Sequence, residues 1–270
     1  MEGILIAAIL GLVEGLTEFL PVSSTGHLIL ATDLLNQNQE ALASFNIIIQ
    51  FGAILAVVFL YWQRFYDFFH PQNLLQLKNN FQVKKLNLIH IALAILPVLC
   101  IGFVSRKFIK SHLYNPSFVV FTTVSVAFVM IIMERMKPKE EVHNLDDISY
   151  KDAFIIGLGQ CFALLPGVSR SGATMLTAMS RKFDIKVAAD FSFLISVPVI
   201  TAATLYELLK NLSDFKSDQM LALLVGLIIS FVVAIIAIKT FLAVLKKLGL
   251  TPFAIYRIIF GLCYYWFKIR

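Results

Sequence analysis

Apolar residues run through this chain in long blocks separated by short polar connections, and the blocks are of two kinds. Six are continuous, at about 44–62, 87–104, 116–133, 187–209, 219–240 and 252–267. A helix needs roughly 17–25 residues to cross a bilayer, and these blocks match that length. The last is short, but Tyr264, Tyr265 and Trp266 give it an interfacial aromatic belt. Two further stretches are interrupted. Residues 3–20 stop at Pro21, pass through Ser-Ser-Thr-Gly and resume as HLILATDLL; residues 152–165 stop at Leu165-Pro166-Gly167, pass through VSRSG and resume as ATMLTAMS. Non-helical backbone at membrane depth is tolerated only where protein or a watery cavity satisfies it. Each interrupted stretch therefore reads as a re-entrant helix–loop–helix pair, the two meeting near the midplane.

The halves of the chain echo each other. FLPVSSTG, from Phe19 to Gly26, aligns with LLPGVSRSG, from Leu164 to Gly172, after one inserted glycine, and three candidate spans follow each. Interrupted segments at corresponding places in two halves mark internal repeats with a site at their interface. The expected fold is an all-α polytopic membrane protein of six transmembrane helices plus two re-entrant pairs in an inverted repeat. It forms a single membrane domain over 1–270, with halves of about 1–135 and 150–270.

Composition supports the membrane assignment and removes other classes. The chain is 59% hydrophobic and 15% charged, against about 25% charged in soluble domains, and its mean hydropathy is +0.81. The net charge of +6 is no nucleic-acid footprint, because the basic residues fall in the connections, where they set topology and meet anionic lipid headgroups. Connections 63–86, 134–151, 181–186 and 239–251 hold 14 of them, and the opposite side holds 7. The richer side is expected in the cytoplasm, with both termini outside. Arg170 and Arg257 are left over inside apolar stretches; Arg257 can be read as snorkelling to an interface, whereas Arg170 lies in a break. Cys100, Cys161 and Cys263 have no CxxC spacing and read as small buried filler. His70, His90, His112 and His143, near segment ends, read as interfacial. The N-terminus lacks the basic region of a signal peptide and is expected to be retained.

The chemistry concentrates in the breaks. Within EGLTEFLPVSSTGH, Glu14 and Glu18 lie four apart, so they share a helix face with Cβ atoms roughly 5–6 Å apart. Acids at membrane depth mark functional sites by default. Near a divalent cation, Mg²⁺ or Ca²⁺, both stay ionised and act as oxygen ligands. Ser23, Ser24 and Thr25 can donate to phosphate oxygens or supply a nucleophile, and His27 is close enough in sequence to act as base or acid. A direct Ser24–His27 hydrogen bond is compatible with the spacing. A polar patch gluing helices would explain the serines but not two acids and a histidine. In PGVSRSGAT, the hydroxyls of Ser169, Ser171 and Thr174 and the amides opening the next half-helix suit an anion, and Arg170 adds a planar fork that matches phosphate. Gln50, mid-span, either faces this site or bonds a neighbouring helix. An anion site facing an acid-or-metal site fits phosphoryl chemistry on a ligand reached from the membrane. A secondary transporter or flippase is the alternative from broken helices alone.

At these residues the chain resembles the bacterial undecaprenyl-diphosphatase family of the bacitracin-resistance type. EGLTEFLPVSSTGH and PGVSRSGAT match its two signature motifs nearly residue for residue, and SFNIIIQFGAILAV and FSFLISVPVI extend the likeness along the chain. The resemblance implies six spanning helices plus two re-entrant pairs. It also implies removal of the terminal phosphate of undecaprenyl diphosphate at the outer face of the bacterial plasma membrane, recycling the lipid carrier. By motif position Glu14 and Glu18 are the acidic pair, Ser24 and His27 the catalytic candidates and Arg170 the diphosphate ligand. Ser23, Thr25, Gln50, Ser169, Ser171 and Thr174 are expected around the substrate. Asn46 and Asp190 stand where many members carry glutamates, so activity should not depend on a carboxylate at 46. The implied partners are the polyprenyl diphosphate and membrane lipids, with no nucleic acid; assembly as a homodimer stays open.

The charge asymmetry carries a topology prediction. In a background lacking Cys100, Cys161 and Cys263, His143→Cys is expected to resist an impermeant thiol reagent in intact cells and to react after lysis. Rapid labelling in intact cells would reverse the orientation.

Overall fold

Each apolar block is helical in the computed structural model, which describes residues 2–71, 85–113, 116–136, 139–211 and 217–269. Lys78, Lys84, Lys137, Lys216 and Arg270 of the charge count lie outside these residues. Helices α1 (Glu2–Thr17) and α2 (Ser24–Leu34) flank the first break. They are followed by α3 (Gln39–Leu60), a short amphipathic α4 (Trp62–Phe69), α5 (Leu88–His112) and α6 (Pro116–Met136). In the second half, α7 (Tyr150–Gln160) runs into a 3₁₀ turn (Cys161–Leu164), and the break leads to α8 (Arg170–Ser180). Then come α9 (Ile185–Asn211), α10 (Ser217–Leu248) and α11 (Thr251–Tyr264), which ends in a π turn (Tyr265–Ile269).

Among the described residues five helices are long and apolar enough to span a membrane: α3, α5, α6, α9 and α10. The sixth expected span, α11, has 14 residues before its π turn. The end of α10 lies at Leu248 rather than near 240 because Phe241 and Leu245 keep an apolar face on the core, and Gly249, at φ 64°, stops it. The start of α5 is set by a capping box. Asn87 accepts from the Ile89 amide, while His90 Nδ1 accepts from the Asn87 amide and its Nε2 donates to the Ile148 carbonyl. His90 is therefore a buried cap rather than an interfacial residue, because an imidazole can serve two backbone groups at once.

The broken pairs dock across the molecule. Helix α1 packs on α10 and α7 on α5, so each first arm lies against a span of the other half; α3 and α9 pack at the centre, and α6 packs on α11. The first arms bring backbone against backbone. A Cβ on Gly11 would stand 2.5 Å from the Gly226 carbonyl oxygen, and one on Gly157 2.6 Å from that of Ala94, a close approach typical of small residues between membrane helices. The core is aromatic and aliphatic, with Phe19 set edge-on against Phe193 at 5.3 Å. Outward faces carry bare apolar side chains such as Phe103 and Phe121, and Cys100 and Cys263 are exposed among them rather than buried. A membrane helix can leave its outer face apolar because lipid is no less apolar than the core.

Arg257 does not snorkel. It is fully buried on α11, where Nε donates to the Thr123 carbonyl (3.0 Å), Nη1 to those of Pro21 (2.9 Å) and Val168 (3.2 Å), and Nη2 to that of Gly167 (2.7 Å). Pro21 belongs to the first break, Gly167 and Val168 to the second. One guanidinium thus satisfies carbonyls that the two interrupted helices leave unpaired, and five fixed donors suit it to that task. Ser171 adds a direct link, donating to the Leu20 carbonyl at 2.9 Å.

Arg257→Met removes a donor from four buried carbonyls at once, though that of Gly167 also accepts from Thr123 Oγ1 at 3.3 Å, and an abandoned buried acceptor costs about 1–3 kcal/mol. The variant is expected to unfold in detergent well below the parent temperature, with Arg257→Lys recovering only part of the loss. Equal midpoints for parent and Met variant would show that the carbonyls find other donors.

Candidate functional site

Both breaks pass through a serine of positive φ. Ser23 has φ 72° and Ser169, its aligned counterpart, φ 75°, a left-handed conformation uncommon for non-glycine residues and often found at functional sites. An 11-residue half-helix follows each. Ser169 Oγ caps α8 by accepting from the Gly172 amide at 3.2 Å. Ser23 makes no such cap; instead its carbonyl accepts from His27 Nδ1 at 2.8 Å.

The residues after these serines, Ser24 and Arg170, converge on one carboxylate. Ser24 Oγ donates to Glu18 Oε2 at 2.6 Å, and Arg170 Nη2 donates to Glu18 Oε1 at 3.2 Å. Arg170 Nη1 is held by the Ser192 carbonyl at 3.0 Å, its guanidinium carbon lies 6.0 Å from the centre of the Phe19 ring, and its Nε is buried with no partner among the described residues. Glu14 is fully buried behind this group, and neither of its carboxylate oxygens has a hydrogen-bond partner there.

A cavity of about 230 Å³ opens at this point. Its polar lining is Glu18, Ser23, Ser24, Thr25, Gln50, Ser169 and Arg170, and its apolar wall is built from the 163–165 turn and from Val199, Ile200 and Ala203 of α9. Most residues expected around a ligand are therefore brought together. Ser171 and Thr174 are not in the lining. Ser171 ties the breaks to each other, and Thr174 Oγ bonds back to the Arg170 carbonyl and across to Ser192 Oγ at 2.6 Å. Hydroxyls inside a helix commonly turn to nearby carbonyls.

His27 is placed differently from the sequence expectation. Ser24 bonds Glu18 and not His27. The imidazole is nearly buried, with Nε2 2.6 Å from the Tyr256 hydroxyl and the ring stacked on Phe260 at 4.1 Å. Tyr256, Arg257 and Ser192 escaped sequence reading because each meets the breaks from a distant helix; only the lone charge of Arg257 in an apolar stretch gave a signal. Asn46 has an unpartnered Oδ1 on α3, and Asp190 accepts from the Tyr61 hydroxyl at 2.6 Å and does not line the cavity.

The donor set fits a divalent cation at Glu14 and Glu18. Two orphaned carboxylate oxygens buried beside a second carboxylate are what a hard cation coordinates, and Glu18 keeps lone pairs beyond those used by Ser24 and Arg170. A separate group, Glu140, His143 and Asp184, has ligand atoms within 4.8 Å of one another. Asp184 immediately precedes α9, about two helical turns before Ser192, and Glu140 and His143 are exposed.

Broken helices meeting at a buried Arg–carboxylate–hydroxyl cluster define a polytopic membrane protein with a polar site inside its helical body. The chain belongs to the family of the bacitracin resistance protein BacA, whose pattern it matches over residues 7–263. It is 43% identical to undecaprenyl-diphosphatase 1 of Bacillus thuringiensis (strain Al Hakam) over 264 residues, which is 98% of each chain. It is also 43% identical to undecaprenyl-diphosphatase of Desulfovibrio desulfuricans over 270 residues, the full length of both. Undecaprenyl-diphosphatase 1 of Bacillus anthracis is 42% identical over 264 residues.

Arg170→Lys keeps the charge at the site but loses the planar fork and the spare Nε. One charge-assisted contact is worth roughly 1.5–3 kcal/mol, so inorganic diphosphate is expected to bind the purified variant about tenfold to a hundredfold more weakly in calorimetry. Unchanged affinity would remove Arg170 from the anion site.

Proposed function

We propose that this protein hydrolyses undecaprenyl diphosphate to undecaprenyl phosphate and inorganic phosphate, recycling the lipid carrier for cell-wall synthesis and conferring bacitracin resistance. The observation that carries the reading is the Glu18 carboxylate bridging Ser24 and Arg170 inside a cavity with one polar and one apolar wall. Such a cavity suits an amphiphile whose headgroup is a diphosphate. Full-length relatives named undecaprenyl-diphosphatase support the same activity. Broken helices also occur in transporters, but a hydroxyl held on a carboxylate beside an arginine is machinery for phosphoryl transfer.

In this reading Arg170 and the hydroxyls of Ser23, Thr25 and Ser169 hold the diphosphate oxygens, helped by the amides that open α2 and α8. The attacking oxygen is Ser24 Oγ or a water beside it. As it bonds to the terminal phosphorus, its proton passes to Glu18, the bridging P–O bond breaks, and the lipid monophosphate leaves as an anion. If Ser24 attacks, water then releases the phosphate from the serine. Positioning and charge neutralisation dominate such transfers. His27, which lies outside the cavity lining, is in this reading a second acid–base group through Nε2, the nitrogen that the Tyr256 hydroxyl holds. A divalent cation held by Glu14 and Glu18 would neutralise charge on the phosphate oxygens.

The finer architecture belongs to the same proposal: six spans, with α11 and its π turn as the sixth, and two re-entrant pairs related by an inverted repeat. Exchange of packing partners between the halves supports it. The site faces the outer side of the plasma membrane, in keeping with the basic cytoplasmic connections.

Purified protein is expected to release inorganic phosphate from a long-chain prenyl diphosphate, and a chelator should stop it. Glu14→Gln keeps the shape but removes ligand charge, so it is expected to raise the Mg²⁺ or Ca²⁺ concentration for half-maximal rate by about tenfold. Phosphate release indifferent to both chelator and variant would dismiss the cation. No release under any condition would dismiss the phosphatase.

A further inference from the structure

His27 has two ring nitrogens and two fixed partners, and the partners decide which nitrogen is basic. The Ser23 carbonyl, 2.8 Å from Nδ1, can only accept, so Nδ1 carries a proton and the neutral ring leaves its lone pair on Nε2. The Tyr256 hydroxyl, 2.6 Å from Nε2, therefore donates to it. A phenol has both a proton and lone pairs, so the same hydroxyl can turn and accept from Nε2–H once the ring is cationic. Stacking fixes the plane: the His27 ring lies within 9° of parallel to Tyr256 and 12° of Phe260. Tyr256 is itself placed by its neighbour Arg257, whose guanidinium grips both breaks.

We propose that Tyr256 is a positioning residue for the reaction: its hydroxyl holds His27 in one tautomer, with Nε2 as the working nitrogen, and satisfies that nitrogen in either charge state. The inference rests on the reading of His27 as an acid–base group. It gives α11, outside both sequence motifs, a part in turnover that a merely structural helix would not have.

Tyr256→Phe keeps the stacked ring and removes only the oxygen. In phosphate-release assays on a prenyl diphosphate its kcat is expected to fall on the order of tenfold, the scale for losing a partner that orients a functional histidine. KM should stay within about twofold of the parent, since no substrate contact is lost. In protein carrying [¹⁵N]histidine, with the His27 signals assigned by difference against His27→Ala, the Nε2 resonance is expected to move towards that of an unbonded acceptor nitrogen, while Nδ1 stays protonated. Parental kcat, or an unmoved Nε2 signal, in Tyr256→Phe alongside an inactive His27→Ala would overturn the role of Tyr256 alone. Full phosphate release by folded His27→Ala would overturn the acid–base reading of His27 and this proposal with it.

Discussion

Interrupting a helix inside a bilayer strands carbonyl oxygens where water cannot supply donors, and here one guanidinium answers for both interruptions. Arg257 is bonded to the carbonyls of Pro21, Gly167 and Val168 and to that of Thr123 on α6; among the described residues no carboxylate pairs with it. A buried charge without a counter-ion is normally prohibitive, so its tolerance depends on the summed dipoles of four carbonyls. The dependence is mutual. The breaks require the arginine to satisfy their backbone, and the arginine requires the breaks to solvate its charge. Because it bonds both breaks at once it also sets their separation, and that separation lets Ser24 and Arg170 reach opposite oxygens of Glu18.

Backbone symmetry between the halves coexists with a division of chemistry. The aligned serines at 23 and 169 both take positive φ and start half-helices of equal length. The first arms, α1 and α7, dock through glycine against α10 and α5. On this shared frame the side chains diverge. The first half supplies Glu14, Glu18, Ser24 and His27, whereas the aligned positions of the second supply Arg170 opposite Ser24, Ala173 opposite His27 and Ala163 opposite Glu18. One break thus brings the acids and the hydroxyl, and the other brings the cation and, through Ala163 and its neighbours, the apolar wall of the cavity. Neither half alone holds the proposed reaction site.

What was legible in the sequence was local. Block length located the five helices long enough to span, proline and glycine located the breaks, and the i,i+4 spacing put Glu14 and Glu18 on a common face; the Glu18 amide does bond the Glu14 carbonyl, at 3.0 Å. Direction and distant partnership were not legible. His27 lies three residues after Ser24, yet its Nε2 partner is 229 residues away, and Arg257 reaches Pro21 across 236. Ser171 and Thr174 belong to the right motif but face away from the cavity, because which side of a short helix meets a neighbour is decided by packing. The cysteines were misread for a related reason. In a chain solvated by lipid, an apolar segment does not distinguish an inward from an outward residue.

The charges of the site also bear on the cation in the proposed reaction. Arg170 is already paired with Glu18, and Arg257 is held one layer behind by the carbonyls of the breaks. Bringing in a diphosphate adds negative charge to a region from which solvent is largely excluded, where uncompensated charge is far more costly than in water. Arg170 cannot offset it unaided while it also serves Glu18. A divalent cation held by Glu14 and Glu18 would supply the missing positive charge. In the proposed reaction Glu14, buried and outside the cavity lining, would thus serve the anionic headgroup through the cation rather than by touching it.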